Sequence, residues 1–383
     1  MVFLLFLKIN LKGKHNNWSV GTNLSGTLFA PGKSPESNLE FLLSVAAVMR
    51  GTDLHGPLVR WCISGASNDH RLGGHEAPPA IISLYLGSHL ENLIDSVANS
   101  RPFVAEPARY IDLGIPHLPL VEADNTDRNR TSPFAFTGNK FEVRAVGSSQ
   151  QASASNTVLN VILADSFRAM EADVRARVAN GEQPRDAAMN VVKTIFKKHR
   201  RIVFGGNGYS NEWRAEAKNR GLPNLKATPD VLDFVSASKE AKEVFASLGV
   251  LSNEEFDARN NVMYETYCNK INIEGHLLKK MSRQYILPAA LKTSSLLQTT
   301  GVTSMHSVLS GQINRAYELT EKLSKTTQAG SKIDDVKKRA RFSLEETLPA
   351  MSKLRETLDD IEGRVDRKDW PFATYQELLF NKH

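Results

Sequence analysis

One short run constrains this chain more than any other: Phe141-Glu142-Val143-Arg144-Ala145-Val146-Gly147 alternates apolar and charged residues with a period of two. On a strand, successive side chains point to opposite faces. Phe141 and Val143 are therefore predicted to face a core, while Glu142 and Arg144 project together from the other side. Alone, such a pair reads as an ordinary surface ion pair on a half-exposed strand. Its surroundings give it a chemical setting.

Three zones flank it. Residues 1–33 carry short strand-like runs and glycine turns at Gly13, Gly21, Gly26 and Gly32. From Ser34 to about Ser149 helices alternate with loops. From Ala152 onward apolar residues recur at helical spacing, as in Val158, Leu159, Ile162, Leu163, Phe167, Met170, Val174 and Val178, with Gly181 as a stop. Pro35 and a Ser37-x-x-Glu40 capping box are predicted to open the first long helix. Ser210 and Gly221 bracket a short helix, Thr228-Pro229 opens another, and Ser252 with Glu255 caps a long one. Residues 304–362 read as a helical hairpin hinged near Gly330. The predicted class is α+β: an antiparallel sheet carrying Glu142 and Arg144, backed by helices, with a largely helical C-terminal region.

Composition excludes more than it selects. With 41% hydrophobic and 23% charged residues over 383 positions, the chain reads as a soluble protein of more than one domain. Two cysteines, Cys62 and Cys268, lack metal or redox spacing and fit a reducing compartment. The apolar start Met1–Leu7 is broken by Lys8, lacks a cleavage site and is too short to span a bilayer. A buried strand, or a start codon misplaced within a longer protein, accounts for it. The net charge of +6 comes with no array of stacking aromatics beside the clusters Lys197–Arg201 and Lys337–Arg341. These clusters read as solvated mixed-charge faces, and nucleic acid is not an expected partner.

Polar segments upstream of the strand carry the candidate chemistry. Asp124–Thr131 holds Arg128 and Arg130, whose forked guanidinium groups suit phosphate and carboxylate geometry. Asn68–Pro79, with paired glycines and prolines, reads as a shaped loop able to deliver Arg71 or Glu76 to a ligand. His70 and His75 stay unassigned. In Gly13–Ser19, an extended chain aims His15, Asn17 and Ser19 the same way; imidazole suits a divalent metal or a phosphate oxygen, and the other two suit a nucleotide.

Taken together, GKHNNWS at Gly13–Ser19, NDHRLGGHEAPPA at Asn68–Ala80, DNTDRNRTSPFAFTG and NKFEVRAVGSS across Asp124–Ser149, and GNGYSNEW at Gly206–Trp213 resemble glutamine synthetase, type III most closely. The resemblance runs from about Lys12 to Ala290. It implies residues 1–290 as part of a catalytic domain and 291–383 as a C-terminal helical region. It also implies His15 and Glu142 as ligands of a magnesium (or manganese) ion that holds the ATP phosphates, with Asn17, Ser19 and Lys140 on the nucleotide and phosphate. Arg71 and Arg144 would hold the glutamate carboxylates. Glu76 would remove a proton on a closing flap, and Arg130 would stabilise transferred charge. The implied reaction is ATP-dependent ligation of ammonia to glutamate in glutamine biosynthesis, within a homo-oligomeric ring, in the cytoplasm or an organelle and away from any membrane.

The sequence departs from the family at two places. The N-terminal β-grasp domain and the strand bearing further metal-binding glutamates are not recognisable, so His15 and Glu142 alone are expected to bind metal weakly. A second phosphate-binding arginine is replaced by the stretch Ser132–Phe136. No synthetase turnover is therefore expected from this chain by itself. Two other readings stand beside this one: a non-catalytic subunit or scaffold, and another ATP-dependent carboxylate–amine ligase or guanidino kinase.

Overall fold

The structure is a computed structural model; it describes residues 13–74, 77–103, 110–111, 121–122, 129–373 and 377. Glu76, Arg128 with the rest of residues 123–128, and the apolar start Met1–Leu7 lie outside the described residues. The chain forms two compact units, one of Leu11–Lys226 with Phe234–Phe256, the other of Ala227–Asp233 with Asp257–His383.

The first unit holds the sheet. Strands β1 (Gly13–Trp18), β4 (Leu84–Tyr85), β7 (Phe134–Phe136) and β8 (Phe141–Gly147) form one sheet of order β1-β8-β7-β4. Two small ribbons, β2 (Gly21–Thr22) with β3 (Gly26–Thr27) and β5 (Tyr110–Ile111) with β6 (Val121–Glu122), stand apart from it. The β1–β8 and β7–β8 pairs are antiparallel, but β4 runs parallel to β7, so the sheet is mixed where an all-antiparallel one was expected. The parallel strand is only two residues long, too short to carry a readable alternation.

The predicted alternation of β8 holds: Phe141, Val143 and Ala145 are buried, and Glu142 and Arg144 are partly exposed. The buried side meets an aromatic cluster in which Phe29 stands edge-on to Phe141 at 4.9 Å, with Phe134 5.2 Å from Phe141 and Trp18 5.4 Å from Phe29. Aromatic pairs in such geometry add about 0.5–1.5 kcal/mol each beyond their buried area.

Helix α1 (Leu39–Trp61) is mostly buried and bends near His55, two residues before Pro57. Its cap differs from expectation. Asn38, not Ser37, accepts from Phe41 N at 3.1 Å, while its amide donates to the carbonyls of Ala30 and Pro31. After the short α2 (Ala66–Asp69) and α3 (Ser88–Ala98) come α4 (Ser153–Ala179) and α5 (Pro184–Lys198), both packed on α1. Arg50 and His55 of α1 reach Asp165 of α4 at 2.7 and 3.4 Å. Asp53 meets His199 Nδ1 at 2.7 Å and Arg201 at 2.8 Å. The basic cluster after α5 is thus largely paired, Arg200 with Glu91 and Asp95 as well. Helices α6 (Asn211–Asn219), α7 (Thr228–Ala237), α8 (Lys239–Ala246) and α9 (Asn253–Met281) follow. Ser210 caps α6 through Trp213 N, and Ser252 and Glu255 satisfy each other's backbone N–H groups at the head of α9, as expected.

The second unit is helical among the described residues: the body of α9, then α10 (Leu287–Thr299), α11 (Thr303–Ser331), α12 (Val336–Phe342) and α13 (Leu348–Glu362). The hairpin predicted over 304–362 is α11 turning back through α12 into α13. Two π-turns, Ser282–Ile286 and Ser343–Thr347, each run directly into a Leu-Pro step. Proline lacks an N–H and crowds the preceding turn, which a wider turn relieves. Among the described residues no helix is long and apolar enough to cross a membrane.

Candidate active site

The polar face of the β1–β8 pair gathers the sequence motifs. Asn17 pairs directly with Glu142, and Lys14 with Val146, but Asn16 pairs with Val143. His15 therefore faces two residues, Arg144 and Ala145: a β-bulge, which bends the strand and re-aims side chains at that point. His15, Asn17 and Ser19 are exposed, whereas Trp18 is buried and bonds inward. Asn16 and Trp18 donate to Asn156 and Asn160 of α4 at 2.8 and 3.0 Å. Those bonds fix which face of β1 is turned outward.

On that outward face His15 Nδ1 lies 2.5 Å from Glu142 Oε1, and Arg144 Nε lies 3.4 Å from the same oxygen. Arg144 Nε makes no hydrogen bond despite its burial. Its Nη1 donates to the carbonyl of Asn129. Asn129 in turn donates to the carbonyls of Gly205 and Gly206 at 3.0 and 2.7 Å and accepts from the Thr131 hydroxyl at 2.6 Å. Gly208 N donates to Thr131 Oγ1 at 2.8 Å, and a Cβ on Gly208 would lie 2.9 Å from Thr131 O. The glycine-rich loop before Trp213 is thus stitched to the turn that presents Arg130, which is exposed beside it.

Arg71 sits beneath this face, 2% exposed. Its Nε donates to Asn68 Oδ1 at 2.9 Å and its Nη2 to the carbonyls of Arg144 and Val146 at 3.4 and 3.2 Å. Burial pushes the guanidinium below its ordinary pKa, and Tyr209 partly opposes that. Gly13 leaves the room: a Cβ there would come within 2.6 Å of Arg71 Nη1.

Asn17, Ser19 and Lys140 lie at the hairpin end of the pair. Ser19 Oγ bonds Thr27 Oγ1 at 2.7 Å and reaches the Asn139 carbonyl at 3.5 Å; Lys140 Nζ lies 3.4 Å from Asn139 Oδ1. Gly138, at φ +91°, permits the tight return from β7 to β8.

Residues 187–305 match the glutamine synthetase C-terminal domain. Over 98% of its length the chain is 36% identical to the type-3 glutamine synthetase of Dictyostelium discoideum. It is 33% identical, over the same share, to the glutamine synthetases of Bacteroides fragilis (strain YCH46) and Butyrivibrio fibrisolvens. The chain is a relative of the glutamine synthetases. It spans about half the length of these curated relatives, 53% to 55%.

Within this glutamine synthetase-like chain, the structure brings His15, Asn17, Glu142 and Arg144 onto one face, with Arg71 below and Arg130 at the rim. Imidazole nitrogen and carboxylate oxygen are fitting donors for a divalent cation. Two such donors fall short of a cation's usual shell, and among the described residues no group of three histidine, cysteine, aspartate or glutamate side chains is placed to hold one. Asn68 and Asn129 stand within the sequence motifs without an expected role, yet both hold an arginine of the site in place. The signal for Asn68 was its place three residues before Arg71, on the same side of one helical turn.

Proposed function

We propose that this chain supplies the phosphate- and glutamate-handling face of a site that ligates ammonia to L-glutamate, with ATP forming a γ-glutamyl phosphate on the way. The convergence of His15 and Glu142 at 2.5 Å, beside Arg144, carries this reading. Charge builds on phosphoryl oxygens in both steps, so fixed cations should supply most of the stabilisation. Magnesium or manganese, when bound, draws charge from the ATP phosphates. His15 and Glu142 hold that ion, and Asn17, Ser19 and Lys140 orient the nucleotide. Arg144 grips a glutamate carboxylate, Arg71 supports it from below, and Arg130 meets the transferred phosphoryl group. Glu76 removes a proton after ammonia attacks. The complete metal site draws further oxygen donors from beyond these residues, in a ring of like subunits, in the cytoplasm or an organelle.

Calorimetric titration of ADP onto the chain, with and without magnesium, tests the reading. The expected result is binding that tightens at least ten-fold with the metal and loses that gain in Glu142→Gln. Binding indifferent to metal, or unchanged by the substitution, contradicts it. Because two ligands hold a metal weakly, a coupled assay on this chain by itself is expected to show no ATP- and ammonia-dependent glutamine.

A further inference from the structure

The cluster Lys337-Lys338-Arg339-Ala340-Arg341, which reads in sequence as one solvated basic face, is divided by the fold. Arg341 is spent on carboxylates: it meets Asp230 at 2.7 Å and also pairs with Asp233. Arg339 has no acidic partner within ion-pairing distance among the described residues, and its Nε is buried without a hydrogen bond. It lines a cavity of about 100 Å³ between α9, α11 and the π-turn ahead of α13. That volume is several times what one water needs. The other lining groups include the amides of Asn269 and Asn272, the hydroxyls of Ser331 and Thr347 and the Cys268 thiol, which interacts with Arg339, and among the described residues no carboxylate lines it.

We propose that this cavity is a binding site for a small tetrahedral oxyanion of the phosphate class. The Arg339 guanidinium and the two asparagine amides of the lining suit one. A guanidinium with an unspent donor supplies charge and direction, and the Asn269 and Asn272 amides can donate to the remaining oxygens. The absence of a lining carboxylate removes both the competitor for Arg339 and the repulsion an anion would meet. The wall is also built to a fixed shape. Ser343 and Thr347 enter it from the π-turn, a distortion that recurs at functional sites. The helices beside it are held close: a Cβ on Gly275 would lie 2.9 Å from Thr327 Cγ2, and one on Gly330 would lie 3.2 Å from the Phe342 ring. The Asn269 and Asn272 side is solvent-exposed, so an ion can enter there without unfolding the helices.

Inorganic phosphate is the probe, and the proposed active face is the confounder to remove. In the Arg130→Gln chain, phosphate is expected to raise the thermal midpoint saturably, and Arg339→Gln added to it should abolish that rise while the midpoint without phosphate stays within a few degrees. An equal rise with and without Arg339 overturns the site, whatever becomes of the active face. Crystals of the intact chain soaked in selenate give a readout that needs no variant. An anomalous peak against Arg339 supports the proposal, and water alone in the cavity refutes it.

Discussion

Asn68 Oδ1 accepts from Arg71 Nε at 2.9 Å, while the Asn68 amide donates to the carbonyls of Ile63 at 2.7 Å and Ala145 at 2.9 Å. One buried side chain thereby ties the arginine to both the end of α1 and strand β8. Asn68→Ala would remove the acceptor of a buried guanidinium N–H and the donor to the Ala145 carbonyl, while the Ile63 carbonyl keeps the Gln150 amide at 3.0 Å. Each such group costs about 1–3 kcal/mol, more where a charge is involved. The expected loss is about 3 kcal/mol in urea unfolding. A loss under 1 kcal/mol would mean that Arg71 is held by something else.

Gly13 matters through the same arginine. An added methyl would sit 2.6 Å from Arg71 Nη1 and 3.1 Å from the Arg144 carbonyl, and the latter, being backbone, has little freedom to yield. Gly13→Ala is expected to cost about 1–3 kcal/mol, the usual range for overpacking. The share of that cost owed to the guanidinium should vanish in an Arg71→Met background, while the share owed to the Arg144 carbonyl should remain. A double-mutant cycle by urea unfolding measures the coupling; strict additivity would exclude the contact as the cause.

Asp165 carries an acid-stability signature. A hydrogen bond from His55, with Arg50 beside it, holds its carboxyl far below the usual carboxylate range against the opposing effect of burial. A depressed folded pKa adds stability above the unfolded value, near 3.9 for aspartate. That stability is lost as the pH falls through the unfolded pKa toward the lower folded one. Between about pH 5 and pH 2 the wild-type chain should lose stability more steeply than Asp165→Asn, though it is the more stable of the two at pH 7. Thermal melts across that range check both the slope and its sign; parallel curves would contradict it.

Local physics made the α+β class, the polarity of β8 and most helix boundaries legible, because alternation and capping are written in neighbouring residues. The β-bulge opposite His15 was not, since it exists only once β1 pairs with a strand distant in sequence. The capping box at Ser37 failed for a related reason. Asn38 also fastens the Ala30–Pro31 backbone, a tertiary advantage no local pattern displays. The convergence of His15, Glu142 and Arg144 was expected from resemblance and appears as geometry. The burial of Arg71 under β8 was not foreseen, because a loop arginine gives no sign in sequence of how many backbone carbonyls it will meet.

On the proposed function, His15 and Glu142 hold one divalent cation against a nucleotide. Manganese titration followed by electron paramagnetic resonance, in the presence of ADP, measures that ion directly. The expected result is a bound manganese that weakens at least ten-fold in either His15→Ala or Glu142→Gln, while Arg339→Gln leaves it unchanged. Manganese held equally well without both side chains would contradict the claim.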